Sequence, residues 1–337
     1  MSATAPVLRQ PVAPAHARIL GVGGYLPSRV VTNDEIAPRI DSSDKWIRER
    51  SGIAERRWAG PQETIAHMGV AAAAKALAQA GVTPERIGCV IVATSTHFRQ
   101  LPAVATEIAH LVGAERAAAF DLSAACAGFT HGLALAADMV RGGSAEYVLL
   151  VGTERMSDLI DHDDRATAFL FGDGAGAVVV GPSTFPGVGP VAWGADGAQR
   201  TAIDQTSSWL ELRTGRPERF PALTMQGQTV FRWAVYQMAD VARQALESAG
   251  VTVGQLAAFI PHQANLRIID ALARTLKLPP DVAVAHSVVR SGNTSAASIP
   301  LAIEEVLAAG EAPSGGLALT MGFGSGLSYA GQVVTLP

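Results

Sequence analysis

The sequence predicts an α/β fold whose sheet is buried on both faces. Apolar runs alternate with stretches of helical period along the chain. Two of these runs, residues 87–96 (IGCVIVATST) and 146–154 (EYVLLVGTE), stay apolar for about the length of a strand covered on both sides. Two glycine-rich passages, starting at Phe171 and Phe323, share a Phe-Gly-x-Gly turn followed by a strand-like run, which points to two similar halves.

The elements follow in order. Residues 17–27 read as a strand and turn, and residues 42–50 as a short helix capped by Asp41 or Ser42. Residues 63–81 form an amphipathic helix closed by Gly81. The strand at 87–96 is followed by a helix over 102–113 and a strand over 117–124. A helix over 126–143 is stopped by glycines, and the strand at 146–154 comes next. Residues 183–222, with Pro186, Pro190, Pro217 and Pro221, read as a long connection holding a few strands. A strand at 256–260 and a helix at 266–276 flank His262.

The chain has 337 residues, 48% hydrophobic and only 17% charged, so disorder is excluded and a large interior is expected. Its 26 Lys and Arg against 30 Asp and Glu leave a net charge of −4, without the basic excess of a nucleic-acid binder. Cys89 and Cys126 cannot form a disulfide framework and suit a reducing compartment. No apolar run reaches membrane-spanning length, and the proline-bearing N-terminus (Pro6, Pro11, Pro14) lacks a signal-peptide core. A cytoplasmic protein, binding neither membrane nor nucleic acid, is expected.

Three residues are candidates for chemistry. Cys126 opens a helix directly after a strand, where free N–H groups and a positive partial charge favour thiolate; the alternative is a small core residue. Cys89, inside a strand, reads as core. His262, in PHQAN at a strand-to-helix edge, could hydrogen-bond in a cleft or simply within its loop. Asn293 lies in GNTSAAS, a small polar run entering a helix, where Asn293 or Thr294 could equally be a cap. Gly172 to Ala177 matches a dinucleotide fingerprint in form, but a strand follows where a helix is required. Asp161, His162, Asp163 and Asp164 read as a solvated turn, not a metal site. Arg48, Arg50, Arg56 and Arg57 near Trp46 read as a solvated face, or as a hold on a phosphorylated adenine ligand.

Cys126 in SAACAGF, His262 in PHQAN and Asn293 in GNTSAAS, in this order and spacing, resemble the β-ketoacyl-acyl-carrier-protein synthase III family, condensing enzymes of the thiolase superfamily that begin fatty-acid chains. The likeness runs from about residue 17 to 337 and takes in WIRERSGI (46–53), DRAT (164–167) and FGDGAGA (171–177). It implies a thiolase fold, two βαβαβαββ halves in five α-β-α-β-α layers. Residues 1–16 would be a flexible tail, 17–182 the half with the nucleophile, and 183–337 the half with His and Asn. It implies a cytoplasmic homodimer acting on acyl-CoA and malonyl-acyl-carrier protein, with no metal or redox cofactor. Cys126 would take the acyl group, and His262 and Asn293 would hydrogen-bond the malonyl thioester carbonyl. The backbone N–H groups of Cys126 and Ser325 would form the oxyanion hole, although the family often has Gly at the Ser325 position. Trp46 and Arg165 would sandwich the CoA adenine, Arg50 would sit beside its phosphates, and Gln228 would contact pantetheine where the family often has Asn. Phe323 would cover the site, and Leu101 would close the partner's acyl pocket. Arg232, Arg267 and Arg274 would dock the carrier protein. The alternatives are a starter-unit synthase III priming a specialised polyketide pathway and a non-catalytic carrier-protein binding subunit. A thiolase would need a second catalytic cysteine, a plant-type polyketide synthase is usually longer, and a Cys-His hydrolase leaves Asn293 unexplained.

Overall fold

The protein is described here by a computed structural model covering residues 11–215 and 219–337. Residues 1–10 of the expected tail, and Pro217, lie outside the described residues. Residues 11–14 have no regular structure.

The first half opens with β1 (His16–Tyr25), the short pair β2 (Val30–Thr32) and β3 (Glu55–Arg57), and the helices α1 (Asn33–Ile36) and α2 (Asp44–Ser51) between them. The cap of α2 is Ser43, whose hydroxyl accepts from Trp46 N, and not Asp41 or Ser42; Asp41 is held in a left-handed turn, φ 47°. Then come α3 (Ile65–Ala80), closed by left-handed Gly81, β4 (Ile87–Ala93), α4 (Val104–Val112), β5 (Ala118–Leu122), α5 (Gly128–Arg141), β6 (Tyr147–Arg155) and β7 (Asp173–Ser183). The connection beyond holds β8 (Ala192–Ala195), β9 (Ile203–Gln205), α6 (Trp209–Arg213) and β10 (Leu223–Met225). The second half continues with α7 (Gly227–Ala249), β11 (Ala258–Pro261), α8 (Leu266–Leu276), β12 (Ala283–Val284), α9 (Val288–Ser291), α10 (Ser298–Ala308), β13 (Leu317–Gly324) and β14 (Ser328–Thr335).

Two five-stranded sheets result. Their orders, β1-β7-β6-β4-β5 and β8-β14-β13-β11-β12, are the same arrangement repeated. In each order the first two pairings are antiparallel and the last three strands run parallel. The glycine-rich echo marks corresponding strands but is out of register: Phe171 precedes β7 directly, whereas Phe323 still belongs to β13 and a turn separates it from β14.

Helices α5 and α10 lie between the sheets and touch both. Phe129 and Leu133 of α5 and Ile299 and Ile303 of α10 share one buried cluster with Ile91, Val148 and Val178 of one sheet and Ile260 and Val334 of the other. Each such side chain contributes about 1.5–3 kcal/mol by burial. Helices α3 and α4 cover the outer face of the first sheet and α7 and α8 that of the second, completing five layers. Strand β6 is buried along nearly its whole length, as its apolar run requires. Among the described residues, no helix is long and apolar enough to cross a membrane.

The arginine run is not one solvated face. Arg56 is 0% exposed; its guanidinium donates to Val31 O, Asn33 Oδ1 and Phe169 O and ties β2 and β3 to the body. Burial lowers its pKa to about 10. Arg48 pairs with Asp44 and Arg57 with Glu55. In the acidic turn, Asp163 pairs with Arg39, Asp161 with Arg219, and Asp164 accepts from Thr167.

Candidate active site

Each central helix is entered through a single 3-10 turn, Ala125–Ala127 before α5 and Ser295–Ala297 before α10. Each turn opens on a left-handed residue, Ala125 at φ 47° and Ser295 at φ 50°. Cys126 therefore stands on this turn, two residues ahead of its helix rather than on it. Gly324, ending β13, packs against it: a Cβ there would lie 2.8 Å from Cys126 Cβ, a closeness only glycine permits.

His262 leaves the end of β11, and its backbone N–H donates to Met321 O at 2.6 Å. The side chain is buried, with Phe323 edge-on at 5.3 Å between ring centres. Nδ1 lies 2.7 Å from Ser298 Oγ. That hydroxyl also accepts from Gln263 N–H, and because its own buried proton has no other acceptor among the described residues, it goes to Nδ1. The imidazole is thereby held with its proton on Nε2. Burial pushes its pKa down to about 3, so it is neutral at physiological pH.

Asn293 is fixed at three points. Its N–H donates to Leu170 O at 2.8 Å, its C=O accepts from Gly172 N at 3.0 Å, and Oδ1 accepts from Ser295 N–H at 2.9 Å. The last bond leaves the amide Nδ2 as a free donor beside the cavity. The Asn293 side chain thus closes a local turn rather than capping a helix; Thr294 holds the N-cap position of the 3-10 turn, and its buried hydroxyl has no partner among the described residues.

Helix position alone does not set the thiol's chemistry. Burial, with a smaller push from the nearby Glu154 charge, raises the Cys126 pKa to about 12; a hydrogen bond with Ser295 opposes this. Burial therefore opposes the lowering expected from the helix N-terminus, which starts two residues beyond Cys126. Glu154, at the end of β6, is a residue that motif reading missed. It is buried, accepts from Ser95 N, Thr94 Oγ1, Thr96 Oγ1 and Ser295 Oγ, and burial raises its pKa to about 7. An acidic residue closing an otherwise apolar strand was the available signal.

Cys126, His262, Asn293 and Ser325 line one cavity of about 1280 Å³, with Phe323 in its wall. The Ser325 hydroxyl donates to Ile203 O, which leaves the cavity-facing role at this position to the backbone. Arg50, Arg165, Gln228, Arg232 and Arg267 also line it and are exposed, so they mark its mouth. Trp46 joins them, with the Arg165 guanidinium 5.0 Å and the Arg50 guanidinium 5.5 Å from its ring centre. The gap expected between Trp46 and Arg165 is closed, and a purine stacking on Trp46 must displace Arg165. Two expected residues stay outside the cavity: Leu101 is 80% exposed on the loop before α4, and Arg274 lies farther along α8 from Arg267.

Two sheets of identical order sharing two central helices, with a cysteine on the turn into one helix, define a condensing enzyme of the thiolase fold. The family model for 3-oxoacyl-[acyl-carrier-protein] synthase III matches residues 120–197, and that for its C-terminal part matches residues 246–336. The chain is 62% identical to a β-ketoacyl-[acyl-carrier-protein] synthase III of Streptomyces glaucescens, over 96% of this chain and 97% of that one. Among solved structures, it resembles the priming β-ketosynthase of the R1128 polyketide pathway, at 52% identity and a TM-score of 0.96, covering 98% and 99% of the two chains. It also resembles the 3-oxoacyl-[acyl-carrier-protein] synthase III of Aquifex aeolicus VF5, at 38% identity and a TM-score of 0.88, covering 95% and 99%. The chain belongs to the 3-oxoacyl-[acyl-carrier-protein] synthase III family, whose members are acyltransferases that condense acyl groups.

Proposed function

We propose that the protein takes an acyl group from acyl-CoA onto Cys126 and condenses it with malonyl-acyl-carrier protein, starting fatty-acid synthesis. The observation that carries this is the convergence of one thiol and two fixed neutral donors, His262 Nε2–H and Asn293 Nδ2–H, on one cavity. Cys126 attacks the CoA thioester, and CoA leaves. The backbone N–H groups of Cys126 and Ser325 take the developing oxyanion. Malonyl-carrier protein then enters, and loss of CO₂ leaves an enolate oxygen that His262 and Asn293 stabilise. One such preorganised donor is worth about 10²–10³ in rate. Two neutral donors suit this step because they stabilise charge as it develops without first neutralising the malonyl carboxylate. Decarboxylation itself supplies the carbon nucleophile, so the reaction requires no metal or redox cofactor.

Trp46, Arg50, Arg165 and Gln228 are assigned to CoA. Arg232 and Arg267, and Arg274 beyond them, are assigned to an acidic carrier protein; none of the three pairs with an acidic side chain among the described residues. A homodimer is supported by β5, an apolar edge strand whose Phe120 is exposed, and by exposed Leu101 and Phe98 on the loop leading into α4, whose first turn is tied to β5 through Asp121. Leu101 is assigned to the partner's acyl pocket. The unpaired cysteines support a cytoplasmic setting.

A second reading, the priming of a polyketide pathway, is favoured by the likeness to the R1128 priming enzyme. Both readings share the chemistry and differ in primer and carrier protein. Intact mass spectrometry with a panel of acyl-CoAs, then malonyl-carrier protein, separates them. A primer-specific adduct lost in Cys126→Ala and discharged as 3-oxoacyl-carrier protein is expected. Acetyl or short branched adducts favour fatty-acid initiation and an unusual acyl group the polyketide reading. No adduct with any primer would overturn both.

A further inference from the structure

The desolvated Cys126 thiol needs a destination for its proton, and neither neutral donor is positioned to act as one: His262 Nε2 already carries a proton and Asn293 offers N–H. The buried group that can accept it is Glu154. Its Oε1 accepts from Ser295 Oγ at 3.0 Å, and Ser295 stands with Cys126 in the wall of the same cavity. The serine hydroxyl has one proton. When it serves the carboxylate, its lone pair is free to accept the thiol proton; when the carboxyl is protonated, it serves the sulfur.

We infer that Ser295 relays the Cys126 proton to Glu154 during acylation. The thiol proton passes to Ser295 Oγ as the serine proton passes to Glu154 Oε1. The sulfur forms its bond to the thioester carbon, and the bond to the CoA sulfur breaks. The proton returns through Ser295 to that sulfur, which leaves as CoA thiol, and Glu154 ends ionised as it began. The relay moves one negative charge from Glu154 to Cys126 without adding a second. Releasing the proton to water would instead leave two anions side by side in a desolvated site. In this relay Ser295 meets the reacting sulfur, and Glu154 acts through it as a positioning residue.

Around Glu154 stand Thr94, Ser95 and Thr96 from the loop after β4, its partner Gly174 on β7, Ser295, and Cys126. Of these groups only Cys126 titrates. The relay therefore works only while Glu154 is ionised, and the reactivity of Cys126 should follow that ionisation.

The inference rests on Cys126 being the acylated residue, so its test avoids acyl-CoA: the rate of Cys126 alkylation by iodoacetamide, resolved from Cys89 by peptide mass, is measured against pH. The wild-type profile is expected to show a lower inflection from Glu154 and an upper one from the thiol. Glu154→Gln and Ser295→Ala are expected to lose the lower inflection and to react at least tenfold more slowly at pH 7, the deficit closing as pH rises. Ser295→Ala should keep its fold, because Ala125 occupies the corresponding left-handed position of the other turn. A wild-type profile with the thiol inflection alone, or an unchanged profile in either folded variant, overturns the relay. Failure of acyl-CoA to modify Cys126 would instead overturn the nucleophile assignment and leave the alkylation result standing.

Discussion

The turns Ala125–Ala127 and Ser295–Ala297 are the same piece of backbone built twice and put to different uses. Both follow an edge strand of their sheet, open at positive φ and lead into a helix of the central layer. In the first turn the middle residue is Cys126, open to the cavity. In the second it is Ala296, 1% exposed, and the chemistry moves to Asn293 and Ser295 beside it. The strands facing the turns diverge in the same way. Gly324 ends β13 against Cys126 and leaves the sulfur room, whereas Glu154, near the end of β6, accepts from Ser295 across 141 residues of sequence. A duplicated scaffold thus supplies two rigid positions facing one another, and single side chains decide which becomes nucleophile and which becomes donor and relay.

The comparison breaks most sharply at its centre. Cys126→Ala should lower condensation at least about 10⁴-fold, the scale seen when a nucleophile is removed. Adding Ala296→Cys should not restore it, because that position is closed to the cavity; recovery in a mass-resolved acylation assay would show the two turns to be interchangeable. Asn293→Ala should cost about 10²–10³ in condensation while leaving acylation of Cys126 within a few fold. Single-turnover measurement of the two half-reactions checks this, and equal losses would end the division of labour.

Smaller effects sharpen the picture at its edges. Arg267→Glu, at the cavity mouth, should raise KM for malonyl-carrier protein about three- to tenfold and spare acyl-CoA, with Arg274→Glu weaker because it lies outside the cavity. An unchanged KM removes Arg267 from the docking surface. The smallest effect concerns stability. Glu154 is raised to about 7 in the folded protein from an ordinary 4.5, so its burial favours the folded state less as pH rises from 4.5 through 7. A neutral Glu154→Gln should therefore gain in Tm relative to the wild type across that window and hold the gain above it. A Tm difference independent of pH would mean that Glu154 does not change charge there.

Much of the fold was legible because its signals are local. The helix at Leu266–Leu276 was read to the residue from its apolar period, and the buried strands were read from runs too apolar for any other place. Cys126, His262 and Asn293 stood out because each sits in a short stretch of distinctive small or polar residues. The helix cap at Ser43 was missed by one or two residues, since three consecutive polar residues offer equivalent oxygens and only the backbone angles choose among them. Arg56 was misread because charge patterning shows no difference between a solvated guanidinium and one whose donors meet buried oxygens from distant segments.

The sequence by itself determined the α/β architecture, the order of the main strands and helices as far as residue 154, and which three residues could do chemistry. Only the tertiary structure decided what state those residues are in. Burial raises the thiol and depresses the imidazole, Ser298 sets the imidazole tautomer, and Ser295 sets the direction of the Asn293 amide. The Asn293 bond is local, but the bonds of His262 to Ser298 and of Ser295 to Glu154 join groups 36 and 141 residues apart, and the burial around them forms only when the two halves close on their shared helices.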